Sequence, residues 1–197
     1  MKKRYLSLLL LGVGALSLSS CGASEISAEE FKTQLTNNSK KEAPGYTKGK
    51  IKTEIKNYKF ECSNVDLGKT FEGILSASLK ASLIAQGFNI DKNADLSKGF
   101  KETRDLTETE FKVATEIRYS ASSLDTDGEN AKFYKDGSSL KVSQKVEEAN
   151  AKSEATIYFD EFSYLTGMES SVNMEMKEGE ESFKLSLHIS TFYTFSK

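Results

Sequence analysis

Toward the C-terminal end of the chain, apolar residues fall on every second position. Phe183, Leu185, Leu187, Ile189, Tyr193 and Phe195 fill six of the seven odd positions from 183 to 195, and Phe192 is the only large apolar residue among the even ones. A period of two with one apolar face is the mark of a strand half-buried in a sheet. Met168, Val172, Met174 and Met176 alternate in the same way with Glu169, Ser171, Asn173 and Glu175. Shorter alternations occupy Ala131 to Tyr134, Leu140 to Val146 and Ala155 to Phe159, with the turn dipeptides Asp127-Gly128 and Asp136-Gly137 beside them. Phe111, Val113, Ile117 and Tyr119 alternate with Lys112, Glu116 and Arg118, which predicts a further strand over 111–119.

The N-terminal half mixes two periods. Ser27-Ala28-Glu29-Glu30 reads as a capping box that starts a helix carrying Phe31 and Leu35, and Asn37 to Ser39 with Pro44-Gly45 end it. From Tyr46 to Cys62 the period is two, with Ile51, Thr53 and Ile55 in one phase and Tyr58, Phe60 and Cys62 in the other. The switch at Asn57 predicts a bulge or corner. Phe71, Ile74, Leu75, Leu79 and Leu83 then follow helical spacing over 69–86, with Gly87 placed for a left-handed C-cap. The polar stretch 89–109 reads as a loop with at most a helical turn.

Strands joined by short turns pair antiparallel, and a sheet with one apolar face needs cover. The expected fold is therefore α+β. It is a curved antiparallel β-meander of about seven strands, a half-barrel, with the N-terminal helix and the 69–86 helix packed on its concave face.

Composition refines this picture at the N-terminus. Lys2, Lys3 and Arg4 precede a 14-residue apolar run from Tyr5 to Leu18, broken only by Ser7 and Ser17. This is the form of an export signal, too short for the about 20 apolar residues of a membrane span. Leu18-Ser19-Ser20-Cys21 resembles the lipobox of bacterial lipoproteins: an aliphatic residue, two small ones, then cysteine. An ordinary secretory signal with a cysteine behind it is the plainer alternative. The resemblance implies cleavage before Cys21, a diacylglyceryl group on its thiol, and attachment to the extracytoplasmic face of the cell membrane. It divides the chain into a signal peptide (1–20), a lipidated tether (21–26) and one globular domain (27–197). Without the first 20 residues the chain has 24 basic and 29 acidic residues, a net charge of −5 over 177.

The order of a lipobox, an N-terminal helix, a long first strand, an interposed helix and a closing meander is similar to the LolA and LolB carriers and the LppX and LprG lipoproteins. Those proteins hold acyl chains between an unclosed half-barrel and its helices. Tyr158 to Thr166 also resembles a strand-turn-strand passage of small lipoproteins from low-GC Gram-positive bacteria, where glycine often stands at the position of Ser163.

The remaining chemistry is sparse. The chain has one histidine and two cysteines and lacks HExxH, GxSxG, P-loop and CxxC patterns, so neither a metal nor an enzymatic site is expected and no cofactor is called for. His188, between Ser186 and Ser190, reads as a solvated strand residue, and Cys62 as a small buried hydrophobe. Asp125 to Glu129 departs from EF-hand spacing and reads as a turn. The acidic pairs Glu147-Glu148 and Glu180-Glu181 read as solvated tips. A net negative charge without a basic block argues against nucleic acid as a partner. What remains is a monomeric, non-enzymatic surface lipoprotein. Its candidate ligand-binding residues are Phe111, Val113, Ile117, Tyr119, Met174, Met176, Leu185 and Leu187, lining the half-barrel for a lipid or other hydrophobic ligand. The other reading is a structural lipoprotein with a packed core that docks a protein partner through its outer sheet face or an edge strand.

Overall fold

The computed structural model describes residues 23–123, 130–178 and 180–197. The signal segment, Cys21 and the Asp127-Gly128 turn lie outside these residues. Within them the fold is α+β: an open, eight-stranded antiparallel sheet and three α-helices. The strands are β1 (Ser24–Ile26), β2 (Lys48–Cys62), β3 (Phe100–Asp105), β4 (Ala131–Asp136), β5 (Ser139–Glu148), β6 (Ala151–Phe159), β7 (Leu165–Glu178) and β8 (Glu181–Ser196). They stand in the order β1-β4-β5-β6-β7-β8-β2-β3, so β4 to β8 form the expected meander and the early strands flank it. The helices are α1 (Ala28–Ser39), α2 (Val65–Ala85) and α3 (Glu108–Glu116).

Local chemistry accounts for these elements. The Ser27 hydroxyl accepts from the Glu30 N–H at 3.1 Å and starts α1. The register of β2 on β8 shifts between Lys56 and Lys59, with Asn57 at φ +53°, which is the bulge expected from the change of phase. Gly87 follows α2 at φ +77°, a conformation that suits a residue without Cβ. A two-residue link at Gly137 and Ser138 joins β4 to β5, as Asp136-Gly137 predicted.

Four expectations need correction. Residues 108–116 are a helix, because Thr107 and Glu110 form a reciprocal capping box that sets the 3.6-residue period. The stretch 89–109 contains β3 as well as a short 3₁₀ turn at Leu96–Lys98. The residues Ser24 to Ile26 of the expected tether pair with Lys135 to Phe133, since Ile26 has an apolar cluster to join. With 111–119 lost and β1 and β3 gained, the strands number eight rather than seven.

Both long helices lie on one face of the sheet but over different strands. Phe31 and Leu35 of α1, with no exposed surface, pack against Phe133, Leu140 and Phe159 of β4, β5 and β6. Burial of each such side chain contributes about 1.5–3 kcal/mol. Leu75, Leu79 and Leu83 of α2 pack with Ile51 and Ile55 of β2, Leu185, Leu187 and Ile189 of β8, and Met174 of β7. Gly68 lets the start of α2 close on the sheet end, where an added Cβ would lie 2.8 Å from the Cβ of Cys62. Cys62 itself is a free, half-buried cysteine.

Candidate functional site

The two clusters share no residue, and the sheet between them is not covered. Register makes this explicit on the helix-bearing face. One row runs Val142, Ile157, Met168, Thr191; the next Gln144, Ala155, Ser170, Ile189; the next Val146, Ser153, Val172, Leu187. The left end of the first row belongs to the α1 cluster, and the right ends of the other two belong to the α2 cluster. Between them Val146, Ala155 and Met168 are exposed, while Ser153, Ser170 and Val172 are half-buried. Val146 keeps 38% and Met168 37% of its surface, at positions where a continuous core would leave almost none.

The side of α2 that overlooks this strip follows from helix geometry. At roughly 100° per residue, Leu75, Leu79 and Leu83 define the direction facing the sheet. Lys80 stands about 100° to one side, and its Nζ donates to the Lys92 carbonyl at 3.1 Å, in the connection leading to β3. Leu67, Phe71 and Ile74 stand about 110° to the other side, facing away from β3 and toward the middle strands. They remain 41%, 53% and 60% exposed. An apolar flank of α2 and an uncovered sheet floor, apolar at Val146, Ala155, Met168 and Val172 and polar at Gln144, Ser153 and Ser170, thus border an open trough between α2 and α1.

The eight residues expected to line a ligand site are not brought together and fall elsewhere. Met174, Leu185 and Leu187 are buried beneath α2, with Met176 half-buried beside them, so they are core. Phe111 on α3 is half-buried with its ring 6.3 Å from that of Phe195. Tyr119 packs on Phe159 at 5.4 Å, within the α1 cluster. Val113 and Ile117 point to solvent with half their surface exposed. The trough residues Val146, Ala155 and Ser170 and the flanking Leu67, Phe71 and Ile74 lie outside the expected set. One signal could have found them: Ser153, Ala155 and Ser170 interrupt the apolar series at inward positions of β6 and β7.

Elsewhere the chemistry is structural. A cavity of about 470 Å³ at the β5–β6 turn has Met174, one of the expected ligand-lining residues, on its wall with Ala149, Asn150 and Ala151, but Lys152, Lys177, Lys184, Glu148, Glu175 and Asn173 complete the lining and suit a polar ligand better than an apolar one. Lys184 and Lys177 are ion-paired with Glu175 at 3.2 and 3.7 Å. On the outer face Tyr158 donates to Glu169 at 2.6 Å. His188 is half-buried rather than solvated; its Nε2 is enclosed and has no hydrogen-bond partner among the described residues, and burial followed by Lys56 holds its pKa below the ordinary value. No group of metal-ligating side chains occurs among the described residues. Residues 125–129 lie outside the described residues. None of the described helices is long and apolar enough to cross a membrane. No protein-family model, curated protein or solved structure matches the chain.

Proposed function

We propose that the protein is a non-enzymatic lipoprotein, held on the extracytoplasmic face of a bacterial cell membrane by a diacylglyceryl group on Cys21. Its sheet is a half-barrel whose concave face carries both long helices, and the trough between them binds a hydrophobic ligand. The observation that carries this reading is the pair of uncovered apolar surfaces on the helix-bearing side of the sheet, Phe71 and Ile74 on α2 and Val146, Ala155 and Met168 on the floor. An apolar acyl chain laid along this floor would remove both surfaces from water at about 25 cal/mol per Å². Met168 adds an adaptable side chain for an irregular partner. The filled core beneath α2 favours one second reading, a structural lipoprotein that docks a protein partner through its outer sheet face or an edge strand.

The decisive experiment compares the Cys21→Ala protein with its Met168→Glu derivative. Cys21→Ala is expected to leave the membrane fraction or to remain uncleaved, and lipid extracted from the purified protein is expected in stoichiometric amount by mass spectrometry. Met168→Glu places an unpaired charge on the floor and is expected to lower that lipid by about tenfold. A clean lipid spectrum from the Cys21→Ala protein would transfer support to the protein-docking reading. Absence of labelled palmitate on the wild-type chain would sink the anchor.

A further inference from the structure

We infer that the rim of the sheet where β1 begins rests directly on the lipid bilayer, with Val113, Ile117 and Phe162 seated at the acyl boundary. This inference rests on the anchoring of Cys21 proposed above and adds to it an orientation and a contact surface.

The first argument is reach. Only Gly22 and Ala23 separate Cys21 from Ser24, the first residue of β1. Three residue steps span at most about 11 Å even when fully extended. Ser24 pairs with Lys135, which pairs with Leu140, then Phe159, then Leu165. That row is the end of the sheet, and the chain enters there. β1 is fixed by its ladder to β4, by Ile26 in the α1 cluster, and by the ion pair of Glu25 with Lys132 at 3.2 Å. An acyl group on Cys21 therefore holds this rim, and not another part of the domain, at the membrane surface.

The second argument is what the rim presents. The turn between β6 and β7 carries Phe162, half-buried with the remainder of its ring at the rim, and the Asp160 carboxylate accepts from the backbone N–H groups of Phe162 and Tyr164, both at 2.9 Å. Lys41 Nζ lies 5.9 Å from the centre of the Phe162 ring and donates to the Glu161 carbonyl. Arg118 ties the neighbouring segment down: its guanidinium donates to the carbonyls of Phe162, Lys41 and Asn38 at 2.7 to 2.9 Å. Ile117, next to it, is 50% exposed, and Val113 one turn earlier is 53% exposed. Phe111 seats α3 on Phe195, at the end of β8, so these side chains share the rim.

An aromatic, two exposed aliphatic residues and the long side chains of Lys40, Lys41 and Lys112 on the same segments are the composition of a membrane-interface contact. Glu42, Glu116 and Glu161 offset the lysines, so the contact is held by apolar burial and anchor reach rather than by lipid charge. The trough flank at Leu67 lies past the opposite end of β2, a 15-residue strand, on the order of 40 Å away. That patch stands clear of the bilayer.

The chain contains no tryptophan, so a single introduced one is the sole reporter. Phe162→Trp, Ile117→Trp and, as the distal control, Val65→Trp are prepared as full, lipid-modified protein in phosphatidylcholine vesicles with and without phosphatidylglycerol. Their emission is read with acyl-brominated against unbrominated lipid. Trp at 162 and at 117 is expected to lose about half its emission, as for a side chain about 5–10 Å into the interface, and equally in both compositions. Val65→Trp is expected not to change. If palmitate labelling shows the anchor and both rim reporters behave like the control, the orientation is wrong while the anchor stands. If rim emission shifts without quenching by brominated lipid, a protein covers the rim and the inference fails. If palmitate is not incorporated, both readings fall together.

Discussion

Arg104 offers the sharpest test of how the helices are held over the sheet. It sits on β3 opposite Ile51, on the face that bears the helices, and its Nη1 and Nη2 donate to the two Glu110 carboxylate oxygens at 2.8 and 2.5 Å. Nη2 also donates to the Gln86 carbonyl at the end of α2, and the guanidinium lies 5.1 Å from the centre of the Phe88 ring. One side chain thus joins β3, the C-terminus of α2 and the first turn of α3. Hydrogen bonding to Arg104 first, and to the Thr107 N–H and hydroxyl next, lowers the Glu110 carboxyl from 4.5 to about 2 despite partial burial. Such a displacement corresponds to about 3 kcal/mol favouring the folded state at neutral pH. The Glu110 side chain is 37% exposed, and solvent screening leaves about half of that, roughly 1.5 kcal/mol. Because the folded value lies below the unfolded one, this stability is complete above pH 4.5 and disappears as pH falls through about 2. Glu110→Gln keeps the size and an acceptor and removes the charge. Urea unfolding followed by far-UV circular dichroism should show the variant less stable by about 1.5 kcal/mol at pH 7, with the gap closing between pH 4.5 and 2. Equal stabilities at pH 7, or a gap that persists unchanged to pH 2, would refute the assignment.

Two further outcomes follow from single contacts. Ser163 is fully buried at φ +64°, and its hydroxyl donates to the Leu35 carbonyl at 2.7 Å, joining the β6–β7 turn to α1. Ser163→Ala keeps the strained backbone and loses the bond, so thermal unfolding should report a loss of about 1–3 kcal/mol; Ser163→Gly relieves the backbone and should lose clearly less, and the reverse order would contradict this account. His188 has its folded pKa below the unfolded 6.5, so the unfolded chain takes the proton first and stability falls as pH drops below that value. His188→Gln lacks the titrating group; wild type should lose stability relative to it between pH 7.5 and 5, and parallel curves would show that burial does not hold this ring neutral.

Legibility in the sequence tracks how far each segment depends on its own neighbours. The odd-position series of β8, the phase switch at Asn57 and the Ser27 cap are local signals, and each reports a conformation set by adjacent residues. The segment 111–119 misled because Phe111, Val113, Ile117 and Tyr119 share one parity whether extended or helical. The signal that separates the two cases, Thr107 with Glu110, stands just upstream in the same form as Ser27 with Glu30, and the structure makes it a full capping box. β3 escaped notice for the opposite reason. At its inward positions only Phe100 is apolar, because Glu102 accepts from the Asn89 N–H and Arg104 pairs with Glu110. Paired charges replace the apolar alternation that marks a strand.

The trough escaped for a reason that no local pattern can repair. An inward-facing Leu185 and an inward-facing Met168 obey the same alternation, and the difference between core and floor is whether a helix lies above. That depends on where α1 and α2 cross the sheet. Their crossings are set by distant partners: Phe31 reaches Phe133 and Phe159, and Gly68 closes on Cys62. The same logic explains why Leu67, Phe71 and Ile74 look like core in the sequence. The apolar arc of α2 extends over roughly half its circumference, and the sheet beneath fills only one side of it. A helix whose apolar arc is wider than the surface it covers leaves a flank for something else to cover, and in this fold that flank faces the uncovered floor.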